Sequence, residues 1–145
     1  MTNLILDEKE VLSERDVVKE ERRMRYDNDP QNALFETLMA NAFMAHPYRR
    51  PFIGWMQDIS EIRRDDLYKH YKAYYSPNNA FIVIAGDVDP DEILKKIKTD
   101  FGGINKTILP DRNITEEPEQ SGEKRFYLKK EAEISSVIMG HHTPR

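Results

Sequence analysis

Apolar positions recur at helical spacing through most of the first hundred residues, and the pattern then changes. Leu34, Phe35, Leu38, Met39, Ala42 and Phe43 form one stripe of a helix expected over residues 30–45. Asp29 can cap that helix and Pro30 suits its first position. Pro47 restricts the residue before it, so the helix must stop near His46. Upstream, Asp7 with Glu10 forms a capping-box pair for a helix over 7–25, which Asn28-Asp29-Pro30 breaks. Leu67, Tyr71, Tyr74 and Tyr75 mark a third helix over 65–75, ended by Ser76-Pro77-Asn78-Asn79. Ile93, Leu94, Ile97 and Phe101 mark another over 90–101, opened by Asp89-Pro90 and stopped by Gly102-Gly103. Between these two, Phe81-Ile82-Val83-Ile84 forms a continuous apolar run. Its length and branching predict a strand over 80–86, buried on both faces.

Two more strands are expected, over 124–130 and 135–142, after a polar connection that holds Pro110 and Pro118. Residues 47–55, with two prolines, two arginines and Gly54, read as a loop. The pattern is α+β, two layers with helices packed on one sheet. The first strands of such a sheet are not visible, so the chain is expected to be one partial domain that starts inside the fold.

Composition narrows the function. The 145 residues suffice for one domain with a core, and 39% hydrophobic with 33% charged residues reads as soluble and globular. The net charge is -4 with both signs interspersed, which leaves no basic stripe for a nucleic-acid backbone. No apolar run approaches the about 20 residues of a membrane span. No signal peptide or other targeting segment is visible, and the compartment stays open. There is no cysteine, which excludes thiolate metal sites, thiol nucleophiles and disulfides.

The first helix holds the candidate chemistry. Glu14 and Glu21 lie seven residues apart, almost two turns, and so share a face. Val17 and Val18 sit between them, Val11 and Met24 extend the face, and Arg15, Asp16, Lys19, Glu20, Arg22 and Arg23 are expected to cover the rest. A carboxylate on an apolar face is neutralised, paired or bound to metal. By spacing alone the simpler reading has both acids flanking the stripe and reaching solvent.

A resemblance changes that balance. Glu14-Arg15-Asp16-Val17-Val18-Lys19-Glu20-Glu21-Arg22-Arg23-Met24 resembles the segment of pitrilysin (insulinase, mitochondrial processing peptidase-like) zinc metallopeptidases that carries the third zinc ligand. His46-Pro47-Tyr48-Arg49-Arg50-Pro51-Phe52-Ile53-Gly54 is similar to the family's loop after the next helix. Tyr74-Tyr75-Ser76-Pro77-Asn78-Asn79-Ala80 and Ala85-Gly86-Asp87-Val88-Asp89-Pro90 resemble its helix-to-strand passage, and the stretch from Ser135 to Pro144 its next strand. Each match is weak alone, but together they follow family order across nearly the whole chain. The resemblance implies a metallohydrolase domain in which an upstream His-x-x-Glu-His motif supplies two zinc ligands and a general base. It implies Glu21 as the third ligand and Glu14 as its support, orienting a histidine ligand or tuning the site. The implied reaction is hydrolysis of peptide bonds in extended polypeptides by a metal-activated water.

The motif itself is absent. The four histidines, His46, His70, His141 and His142, match no part of it. His70 reads as a surface or packing residue. His46 stands at a helix end, where a cationic ring suits the dipole. His141 and His142 must face opposite sides of a strand. Tyr68, Tyr71, Tyr74 and Tyr75 read as packing residues with polar tips. Arg49 and Arg50 read as a solvated loop, with contact to a substrate or partner domain the alternative. The chain alone is therefore expected to bind no zinc and to be inactive, with zinc belonging to the intact protein. Its expected partners are the polypeptide substrate, the missing N-terminal part, a second homologous domain or subunit, and a further copy of the chain. The rival reading is a non-catalytic scaffold or partner subunit of the same fold, against which the two retained acids argue.

Overall fold

A computed structural model describes residues 2–143; Met1, Pro144 and Arg145 lie outside the described residues, so the end of the resemblance at Pro144 is not covered. Five α-helices occur in the order α1 Glu8–Arg22, α2 Pro30–Ala42, α3 Met56–Glu61, α4 Arg64–Tyr74 and α5 Pro90–Phe101. A π-helical turn, Arg23–Asp27, follows α1 directly, and 3-10 turns occupy Pro47–Arg49 and Pro77–Asn79.

Local chemistry explains the helix starts. Asp29 accepts from the Gln31 and Asn32 backbone N–H groups at 2.8 and 3.1 Å, with Pro30 next in line. Asp89 repeats the arrangement on Asp91 and Glu92 at 2.9 and 3.0 Å, again followed by proline. Asp7 accepts from Lys9 and Glu10 at 2.8 and 3.3 Å. Each aspartate satisfies donors that the first turn leaves open. α3 lies in a stretch to which the hydrophobic pattern assigns no element. It is six residues long and has no side-chain cap, so neither periodicity nor capping announces it.

The described residues contain no β-strand, so the helices of the α+β expectation are seen among them and the sheet is not. Segments 80–86, 124–130 and 135–142 carry no ladder. The expected double burial of the first is also overturned: Phe81 is 89% and Val83 78% exposed. A strand exists only through backbone partners on a neighbouring strand, and these segments have none among the described residues.

The chain divides into two compact units: the residues before Leu12 with Arg63–Arg112, and Leu12–Ile62 with Asn113 onward. In the first, Tyr71 is buried, its hydroxyl accepts from the Leu4 N–H at 3.4 Å, and Arg64 Nε donates to the Leu6 carbonyl at 2.7 Å. Asn78 donates to the Thr107 carbonyl at 3.0 Å, while the buried Ser76 accepts from the Thr107 N–H at 3.1 Å. In the second, Ile59 and Arg22 are buried, and α2 packs on the π turn and on the Pro47–Arg49 turn.

Candidate functional site

The rotation of α1 separates its side chains into two stripes. Val11 and Arg22 are buried, Arg15 and Val18 half-buried, and these follow the spacing i, i+4, i+7, i+11. Glu14, Val17, Glu21 and Met24 follow i, i+3, i+7, i+10 on the adjacent stripe. There Val17 is 58% and Met24 69% exposed, Glu14 is exposed and Glu21 half-buried. This corrects the expected single apolar face: Val11 and Val18 turn inward, whereas Val17 and Met24 stay with the two acids. Arg22, expected on the solvent side, is inside.

Glu21 is the penultimate residue of α1. Its Oε1 accepts from Arg25 Nε at 3.1 Å across one turn, an exposed pair of the kind that contributes little energy. Glu20 pairs with Arg23, and Lys19 with Asp16 at 3.1 Å.

Beside Glu21, Arg22 is held from three segments. Nη2 donates to Glu36 Oε1 of α2 at 2.8 Å and lies 3.6 Å from Asp27 Oδ1. Nη1 donates to the Gly54 carbonyl at 3.0 Å. The guanidinium carbon stands 5.3 Å from the Tyr26 ring centre and 5.6 Å from that of Trp55, within cation–π range. The π turn, closed by the Asn28 N–H on the Arg23 carbonyl at 2.8 Å, brings Tyr26 and Asp27 onto this side chain. Gly54 has φ +92°, a conformation that favours glycine, and its carbonyl thereby faces the arginine.

A second constellation lies after α2. The backbone N–H groups of Met44, Ala45 and His46 converge on the Glu117 carboxylate at 2.5, 2.8 and 2.8 Å. Desolvation works to raise the Glu117 pKa. The three N–H groups and the nearby His142 outweigh it and bring the pKa down to about 2. His142 stacks on Phe43 at 5.0 Å, and His46 lies 5.7 Å from the same ring. His46 Nδ1 accepts from the Tyr48 N–H at 3.2 Å, so this ring caps the 3-10 turn that follows it. His70 is exposed and packs on Tyr74 at 4.7 Å. His141 is exposed.

No group of three or more His, Cys, Asp or Glu placed to hold a metal occurs among the described residues. Glu21 offers a single half-buried carboxylate, paired with Arg25, and among the described residues no group beside it completes a donor set. Sequence reasoning missed Arg22 and Glu117. The spacing Val11, Arg15, Val18, Arg22 carried a signal for the former, and the polar connection carried none for the latter.

Residues 61–145 match the family described as Peptidase M16 inactive domain. The zinc protease PqqE of Helicobacter pylori is 34% identical over 99% of this chain and 33% of its own length. An uncharacterized zinc protease of Mycobacterium leprae is 35% identical over 90% of this chain and 30% of its own. The crystal structure of a protease from Helicobacter pylori superimposes with a TM-score of 0.73 at 36% identity, covering 82% of this chain and 29% of that one. The chain thus spans about a third of the length of the relatives it matches. No helix among the described residues is long and apolar enough to cross a membrane. With the ordered motifs and the family match in agreement, the chain belongs to the pitrilysin-like M16 family of peptidases.

Proposed function

We propose that this chain contributes Glu21, one carboxylate ligand, to the zinc centre of a peptidase acting on extended polypeptides, and that Glu14 supports it. The observation that carries the reading is the outward stripe of α1, where both acids stand two turns apart beside exposed Val17 and Met24. The zinc protease PqqE of Helicobacter pylori aligns across this stripe, since it matches 99% of the chain. The other ligands and the general base come from residues outside this chain. Bound zinc supplies Lewis acidity. The chain's own part is to present the Glu21 carboxylate to the metal and to hold Glu14 ready as a hydrogen-bond acceptor for a ligand of the metal. Helices over one sheet, completed by strands that pair with segments 80–86, 124–130 and 135–142, are the architecture this reading requires. A second homologous domain or subunit is the further partner this reading requires.

The test compares Glu21→Gln with Glu20→Gln in the full-length protein. The amide keeps the shape and removes the charge. Glu20→Gln should remain near the parent, while Glu21→Gln should lose zinc and at least about a hundredfold in kcat/KM, more than loss of a supporting partner costs. Parental rates with full zinc in both variants would remove Glu21 from the site.

The second reading, a scaffold or clamp of the same fold, draws on the inactive-domain description of residues 61–145. A His-x-x-Glu-His motif in the full-length sequence decides for the enzyme, and a full-length sequence without one decides for the scaffold.

A further inference from the structure

We infer that Arg22 is a positioning residue for Glu21: the buried clamp on Arg22 fixes the last turn of α1 and with it the direction in which the Glu21 carboxylate points. The inference rests on the reading of Glu21 as a zinc ligand.

Glu21 has no strong tether of its own, because its pair with Arg25 is exposed. It also stands one residue before α1 widens into the π turn Arg23–Asp27. Its direction is therefore set by the backbone. Arg22 controls that backbone. It is 6% exposed, and its fork joins Glu36 on α2, Gly54 in the loop before α3 and Asp27 in the π turn. Contacts from three separate segments on one side chain fix both the rotation of α1 about its axis and the point where the helix widens into the π turn. Such turns interrupt helices frequently at functional sites.

The arrangement is costly for a purely structural contact. A buried guanidinium must recover its desolvation from its partners, and an apolar residue of similar volume often serves stability as well or better. Here Nε finds no acceptor among the described residues, so one donor stays unsatisfied. What the arginine adds over an apolar side chain is a directional, forked contact. Direction is what a ligand on the neighbouring residue needs.

The experiment uses the full-length protein as parent, Glu21→Gln, Arg22→Met, Arg22→Lys and Glu36→Gln. Zinc affinity is measured by chelator competition, and thermal unfolding is followed in the metal-free form. Arg22→Met should weaken zinc roughly tenfold to a hundredfold at a temperature where it is folded, the range seen when a residue supporting a metal ligand is lost. Arg22→Lys, a point charge without the fork, should recover part of the affinity, and Glu36→Gln should fall between parent and Arg22→Met. If Glu21→Gln binds zinc like the parent, the ligand reading fails and the positioning role falls with it. If Glu21→Gln loses zinc while Arg22→Met and Glu36→Gln keep parental affinity, the positioning role alone is overturned and Arg22 serves stability. Should Arg22→Met not fold, Glu36→Gln decides between the same two results.

Discussion

A single carboxylate can be held in two different ways in this chain, and the contrast sets what each can do. Glu21 points out and meets one exposed arginine. Glu117 is gripped by three consecutive backbone N–H groups. Its pKa of about 2 lies below the ordinary 4.5, so the folded state favours the ionised form more than the unfolded chain does. The stabilisation is complete above pH 4.5, diminishes as pH falls from there toward about 2, and is gone below that. Glu117→Gln should therefore flatten the loss of stability across this window relative to the parent, as measured by denaturant unfolding at a series of pH values. Identical slopes for the two proteins would show that the grip on Glu117 carries no proton linkage. The sequence hid this contact because Glu117 stands in a polar stretch more than seventy residues beyond its donors. Arg22 was misread differently: its charge argues for solvent against the inward spacing it shares with Val11, Arg15 and Val18, and Glu36, Gly54 and the Tyr26 and Trp55 rings reverse that preference.

At the scale of elements, what is local was legible and what is shared was not. The Asp-Pro starts of α2 and α5 stand in the sequence as pairs, and their caps form as the residue chemistry dictates. α3 was invisible because it lacks both a capping side chain and the length to show a period. The strand segments carry the apolar signal of a buried sheet, yet a sheet depends on partners that no local pattern supplies. The legible caps make a prediction. Asp29→Ala should destabilise the chain by about 1 kcal/mol, while Asp29→Asn, also a good cap, should stay within a few tenths. The Asp89 pair of variants should behave alike. Urea midpoints check this, and a neutral Asp29→Ala would mean that packing of α2 on the π turn, rather than its first turn, sets its stability.

At the scale of the whole chain, the exposed apolar surface has a consequence in solution. Phe81, Ile82, Val83 and Ile84 are all exposed on a segment whose backbone carries no ladder among the described residues. Val137 and Met139 stand out in the same way on segment 135–142. Free N–H and C=O groups beside apolar side chains form a template for pairing with another chain, and burying the side chains supplies the driving force. The 145-residue chain should therefore self-associate in the micromolar range, as seen by sedimentation at several concentrations. Val83→Lys, which places a charge in the middle of the run, should shift the equilibrium toward monomer, because a lysine on an unpaired edge opposes strand addition. Lys95→Glu on α5 changes charge in the opposite sense at an exposed position outside this run and should leave association close to the parent. If the chain remains monomeric throughout that range, the apolar run needs no second copy to cover it. If it associates but Val83→Lys has no effect, the contact lies elsewhere, and the exposed Val17 and Met24 on α1 become the surface to test next.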